Sequence, residues 1–220
     1  MTISKDTLAF LTDLSQNNNR EWFNQHKDRY KTALANVEDF LTIVIRGIAQ
    51  FDPSVADVEA KKCVFRIYRD IRFSKDKTPY KNSMGAVIGE NGRKTERACY
   101  YLHIEPNGNS VLAGGKWKPD KDQLKNIRQE IDYNPEKLIE ILDDKSFRKI
   151  FPGLADYKLK RPPKGYSADH PNLELLKQNS FVVVHNYADK EILDPGFLKQ
   201  FAKHCKVMKP FNDFLNEVVV

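Results

Sequence analysis

Apolar residues recur at helical spacing from the start of the chain. Leu8, Leu11 and Leu14 lie one turn apart behind Ser4, a good N-cap, and the pattern stops at Asn17-Asn18-Asn19. Asn19 caps a second stripe formed by Trp22, His26, Tyr30, Leu34, Val37, Leu41, Val44 and Ile48, which ends before Asp52-Pro53. As one helix this stripe is about 45 Å long at the usual rise per residue, so it lies across a domain or reaches past it.

From residue 63 the period changes to two. Cys63, Phe65, Ile67, Ile71 and Phe73 alternate with Arg66, Tyr68, Asp70 and Arg72, which predicts a strand with Phe65 and Phe73 on its core side. Arg69 falls on that apolar side, so it is paired there or marks a bulge or the strand's end. Residues 84–89 and 98–105 read as strands joined around Asn91-Gly92, and Pro106-Asn107-Gly108 turns into a further strand at 110–114. Helical spacing returns with Leu124, Ile127 and Ile131, then with Leu138, Ile141 and Leu142 behind Asn134-Pro135. Residues 152–171 form a loop rich in proline, lysine and tyrosine. A β-branched run at 181–185 predicts a last strand, followed by a helix through Phe197, Phe201, Cys205, Met208, Phe211 and Leu215 that Pro210 should kink or divide.

The expected architecture is a single α+β domain over residues 1–220. It has N-terminal helices at 4–50, a sheet at 63–116, a helical segment at 119–151, the loop at 152–171 and a strand and helix at 180–218. Its sheet is an antiparallel meander of about four or five strands, flanked by helices from both chain ends.

Composition narrows the class. The 220 residues are 40% hydrophobic, 11% aromatic and 30% charged, which excludes disordered and low-complexity chains. No run approaches the roughly 18 apolar residues of a membrane span and the first ten residues carry no apolar signal core, so neither export nor a membrane partner is expected. Cys63, Cys99 and Cys205 are widely spaced with no C-x-x-C pair, which points to a reducing cytoplasm. Oligomeric state is open.

Charge adds a location. Within residues 61–81, Lys61, Lys62, Arg66, Arg69, Arg72, Lys75, Lys77 and Lys81 oppose Asp70 and Asp76, so eight minus two equals the whole net charge of +6. A second basic patch, Lys158, Lys160, Arg161 and Lys164, flanks Pro162-Pro163. Clustered cations suit a phosphorylated small molecule, a nucleotide or a nucleic-acid backbone, because arginine offers a rigid fork of donors and lysine a point charge. The expected ligand-binding residues are Arg66, Tyr68, Arg69, Asp70, Arg72, Lys75, Lys77, Tyr80 and Lys81. In this set Asp70 orients a cation, while Tyr68 and Tyr80 offer stacking faces. His170 joins them as a cap or proton donor ahead of a predicted helix.

Two other readings use the same residues differently. In one the basic block is a set of ion pairs in a non-catalytic interaction module. In the other His103 and Glu105, two apart on one strand face, belong to a metal-dependent hydrolase with a third ligand from Asp169, His170 or His185. No Cys/His spacing resembles a ligand set, so no tightly bound transition metal is expected; the catalytic residues and cofactor are open. Gly114-Gly115-Lys116 is not a phosphate loop, since Ser110 and Trp117 stand where that motif needs glycine and a hydroxyl residue. The glycines are expected to allow a bulge or close backbone packing.

The blocks FLTDLSQNNNREWFNQHKDRY, RIYRDIRFSKDKTPYKNSMGA, YYLHIEPNGNSVLAGGKWKPD, NIRQEI, PPKGYSADHP and MKPFNDFL together resemble the bacterial and fungal proteins grouped as domain of unknown function 2461. The resemblance runs nearly end to end and implies no established substrate, cofactor or catalytic residue.

Overall fold

The computed structural model describes residues 2–219. The protein is α+β, with a four-stranded antiparallel meander in the order β1 (Met84–Ile88), β2 (Cys99–Ile104), β3 (Ser110–Lys116) and β4 (Phe181–Tyr187). The described residues group into two compact units. The first joins the N-terminal 94 residues to 101–112 and 186–203; the second joins 95–100 and 113–185 to the C-terminal residues from 204.

In the first unit, α1 (Lys5–Gln16) starts at Ser4, whose hydroxyl accepts the Thr7 N–H at 3.1 Å and closes an orphan donor of the first turn. The expected single helix from Asn19 is two: α2 (Arg20–Gln25) and α3 (Lys27–Ala49), separated by His26. The His26 N–H is shared between the carbonyls of Trp22 and Phe23, a tightened last turn that leaves the stripe in phase across the break. Phe10, Phe23, Phe40, Val44 and Ile48 are buried. Phe40 stacks on Phe197 at a centroid distance of 5.4 Å and meets Phe201 edge-on, within the first turns of the C-terminal helix (Phe197–Val218). That helix runs unbroken through Pro210.

The expected first strand is replaced by a one-turn helix, α4 (Ala60–Cys63), and an irregular run that touches its neighbours at two isolated antiparallel bridges, Val64 to Ala86 and Tyr68 to Tyr80. The helical turn puts Cys63 and Val64 both inward and so breaks the alternation. Phe65 and Arg66 then both face outward, and Ile67 turns back into the core. Phe65 and Phe73 are therefore surface residues, Phe73 at 95% exposure, and not core.

In the second unit, α5 (Lys121–Tyr133) opens with a capping box between Asp120 and Gln123. It is followed by α6 (Glu136–Asp143), α7 (Lys145–Ile150) and α8 (Leu173–Leu176). Gly114 and Gly115 serve close packing. A Cβ at Gly114 would collide with Met208, and one at Gly115, where φ is +113°, would collide with the Phe181 carbonyl. Among the described residues no helix is long and apolar enough to cross a membrane.

Candidate functional site: the basic segment and its clefts

The cations of residues 61–81 divide into engaged and free groups. Arg69 donates to the Asp76 carboxylate, the Thr78 hydroxyl and the Thr78 carbonyl, and its side chain is only 25% exposed. Arg72 forks onto Asp70 with bonds of 2.9 and 2.7 Å, in the two-point geometry that arginine makes with a carboxylate. That pair lies in solvent, with Arg72 resting 5.8 Å from the ring of exposed Phe73. Lys77 donates to the Ile71 carbonyl and Lys81 to the Arg66 carbonyl, each at 2.9 Å. Arg66 and Lys75 are exposed, and their charged heads make no hydrogen bond or ion pair among the described residues.

Each carboxylate responds to its partners. Arg72 holds the Asp70 carboxyl below its ordinary value. Asp76 is held at about 2, chiefly by the Thr78 N–H and then by Arg69 and the Thr78 hydroxyl. The Lys81 pKa is lowered as well, by burial and by the nearby Arg66 charge, and for an ammonium that shift disfavours the charged form.

The two tyrosines differ. Tyr80 is buried and stacked on Phe23 at 4.0 Å, and its backbone is clasped by the Asn18 amide through bonds of 3.1 and 2.9 Å. Tyr68 is 48% exposed and lines a cleft of about 340 Å³ with Arg20, Asn24 and Arg69. His170 belongs to the second unit. Its Nδ1 accepts the Asn172 N–H at 3.0 Å, so Nε2 carries the proton and donates to Asp132 at 2.9 Å.

The free Arg66 lines a larger cleft, of about 470 Å³, together with Lys61, Arg93 and Lys94 and a single acid, Glu38. Its apolar wall is Leu34, Val64 and Phe65, with Tyr30 beside them. Arg93 builds the wall rather than offering charge to a ligand, because one of its nitrogens donates to the carbonyls of Lys61, Lys62 and Val64 at the end of α4. Gly92, at φ +57°, allows this approach; a Cβ there would lie 2.6 Å from the Lys62 carbonyl oxygen. Lys61 shares Glu59 with Lys62, whereas the Lys94 ammonium is unpartnered among the described residues. Lys81 adds a further cation 5.5 Å from the Phe65 ring. Arg93 and Lys94 lie outside the residues that the sequence singled out, and their signal was basic residues directly after the Asn91-Gly92 turn.

His103 has both ring nitrogens engaged, with Tyr101 and Glu105. Asp169, His170 and His185 belong to the other unit, and among the described residues no three His, Cys, Asp or Glu side chains come together in a metal-binding group.

No curated protein and no solved structure matches this chain. Residues 6–214 match the family model described as Conserved hypothetical protein (DUF2461), and the chain belongs to that family.

Proposed function

We propose that the protein binds a phosphorylated ligand, a nucleotide or a nucleic-acid strand, in the cleft around Arg66. One observation carries the reading: Arg66 and Lys94 share a cleft and, among the described residues, neither charge is engaged by a carboxylate, whereas Arg69 and Arg72 are each held by an aspartate. A free guanidinium matches a phosphate with two parallel donors. The cleft volume of about 470 Å³ lies in the range of small-molecule sites, and Phe65 and Leu34 supply an apolar wall for a base. Arg69, Asp76, Arg72 and Asp70 shape the neighbouring loop in this reading and do not contact the ligand. A cytoplasmic setting accords with three cysteines that are all free thiols.

The test is calorimetric titration of ATP and of a thymidine oligonucleotide into the wild type and into Arg66→Ala, Lys94→Ala and Arg72→Ala. Arg66→Ala should weaken binding about 10- to 150-fold, the worth of a charge-assisted hydrogen bond, and Arg72→Ala should leave it unchanged. A log-affinity against log-salt slope of several units for the oligonucleotide identifies a nucleic-acid backbone. No binding of either probe at millimolar concentration, or an Arg66→Ala affinity equal to the wild type, rejects the reading.

A further inference from the structure

On β2 and just beyond it, Tyr101, His103 and Glu105 alternate onto one face, and their polar atoms form an unbroken chain. The Tyr101 hydroxyl lies 3.0 Å from His103 Nδ1, and His103 Nε2 lies 2.8 Å from Glu105 Oε2. An ionised carboxylate only accepts, so Nε2 carries the imidazole proton and Nδ1 presents its lone pair to the tyrosine hydroxyl. The carboxylate is itself held: Glu105 Oε1 accepts from the Asn82 amide at 3.0 Å. Its backbone is pinned by Ser110, whose hydroxyl accepts the Glu105 N–H and donates to the Glu105 carbonyl.

Space for the hydroxyl comes from the neighbouring strand. A Cβ on Gly85 of β1 would lie 2.6 Å from the Tyr101 oxygen, so the glycine makes the place that the hydroxyl occupies. The His103 and Glu105 side chains are each 23% exposed, and Tyr101 is half-buried, so the chain is shielded but reaches solvent. Burial, reinforced by the Glu105 charge, raises the Tyr101 pKa, which keeps the phenol protonated at neutral pH and in need of a base.

We propose that Tyr101 is a nucleophile, with His103 as its general base and Glu105 as the residue that positions the imidazole, acting on a carboxylic ester. The order of groups is that of an activated nucleophile whose base is oriented by a third residue. In the step, the Tyr101 oxygen attacks the ester carbonyl carbon while its proton passes to His103 Nδ1, and Glu105 stabilises the imidazolium. The bond to the leaving alkoxide breaks, the alkoxide takes that proton, and an acyl-tyrosine remains. Water then attacks with the same base, releasing the acid and restoring the hydroxyl. Among the described residues no arginine or lysine bonds to the chain of three, which favours a neutral acyl group over a phosphate. The assignment stands apart from the Arg66 cleft and uses none of its residues.

The test is labelling of the full chain with phenylmethanesulfonyl fluoride at pH 7.5, read by peptide mass spectrometry. The Tyr101 oxygen displaces fluoride from sulfur as its proton moves to His103. Labelling of Tyr101 should exceed that of freely exposed Tyr133 by about 100-fold, the usual worth of a general base. His103→Gln should remove the excess, and Gly85→Ala, which displaces the hydroxyl, should reduce it. p-Nitrophenyl acetate should leave an acetyl group on the Tyr101 peptide. The wild-type comparison of Tyr101 with Tyr133 stands by itself, because folding of a variant is not in question there. Tyr101 labelled no faster than Tyr133, or a folded His103→Gln variant with unchanged rate, overturns the assignment.

Discussion

Arg69 reaches seven residues along the chain to Asp76, and the Thr78 N–H donates to that same carboxylate at 2.9 Å, so one ion pair closes the loop between Tyr68 and Tyr80, the two partners of one antiparallel bridge. The loop has almost no regular backbone pairing of its own. Its shape rests on side chains, and on one carboxylate above all.

Acid should therefore loosen the protein through Asp76. Its folded pKa of about 2 lies below the unstructured value of 3.8, so its contribution is fully present above about pH 4 and is lost as pH falls through about 2. Asp76→Asn should lower the Tm at neutral pH and flatten the fall of Tm between about pH 4 and pH 2. Glu59, also held at about 2 by Lys62 and Lys61, should leave a residual slope in that window. Scanning calorimetry across the pH range reads both effects.

Phe23 is the floor under the basic segment. It is buried and stacked on Tyr80 at 4.0 Å, with Tyr68 edge-on at 6.0 Å. Phe23→Ala should cost about 3–5 kcal/mol in denaturant unfolding, as for other large buried aromatic truncations. Hydrogen exchange should rise most at residues 66–81, because the truncation removes the contact that seats Tyr80.

Gly115 tests the packing of the second unit. An alanine there would hold φ at +113° and drive its Cβ into the Phe181 carbonyl, which lies at the start of β4. Gly115→Ala should destabilise by about 3 kcal/mol or more, from strain plus overpacking. Gly108→Ala, at φ +75° with nothing within 4 Å, should cost less. Denaturation midpoints of the two variants compared side by side check the ranking.

The cysteines should be chemically silent. Burial pushes the thiol of Cys63 up to about 11 and that of Cys99 up to about 12, and Cys205 is fully buried. Iodoacetamide at pH 7.5 should label none of the three in the native protein within a time that labels all three in denaturant. Rapid native labelling of any of them would show that its surroundings open.

Much of this was legible in the chain. The Ser4 cap, the leucines at 8, 11 and 14, the turns at Asn91-Gly92 and Asn107-Gly108, and the β-branched run before Tyr187 each sit where local chemistry places them. The break at His26 was not, because the apolar stripe keeps its phase through a single non-helical residue. The strand expected from Cys63 failed because alternation does not reveal a helical turn just upstream that reverses which neighbour faces inward. At the basic segment, composition located the cations without saying which were free. Asp70 takes Arg72 from two residues away and Asp76 takes Arg69 from seven, a difference that only the folded loop decides. Arg66 stood in the sequence-predicted set, but its neighbour Lys94 lay past the turn that closes the block. His103 and Glu105 were readable as a pair on one face; the Tyr101 contribution depends on Gly85 across the sheet.

The meander has an uneven history written into its connections. β1, β2 and β3 lie within residues 84–116, joined by connections of ten and five residues, whereas β4 reaches its place beside β3 only after the 64 residues from 117 to 180. Loop closure costs entropy that grows slowly with length, and long-range pairings form late. The first three strands can therefore zip together from neighbouring chain while the fourth edge still stands open. During synthesis that edge exists for as long as the intervening helices take to emerge, a window in which β3 offers unpaired backbone to any strand nearby.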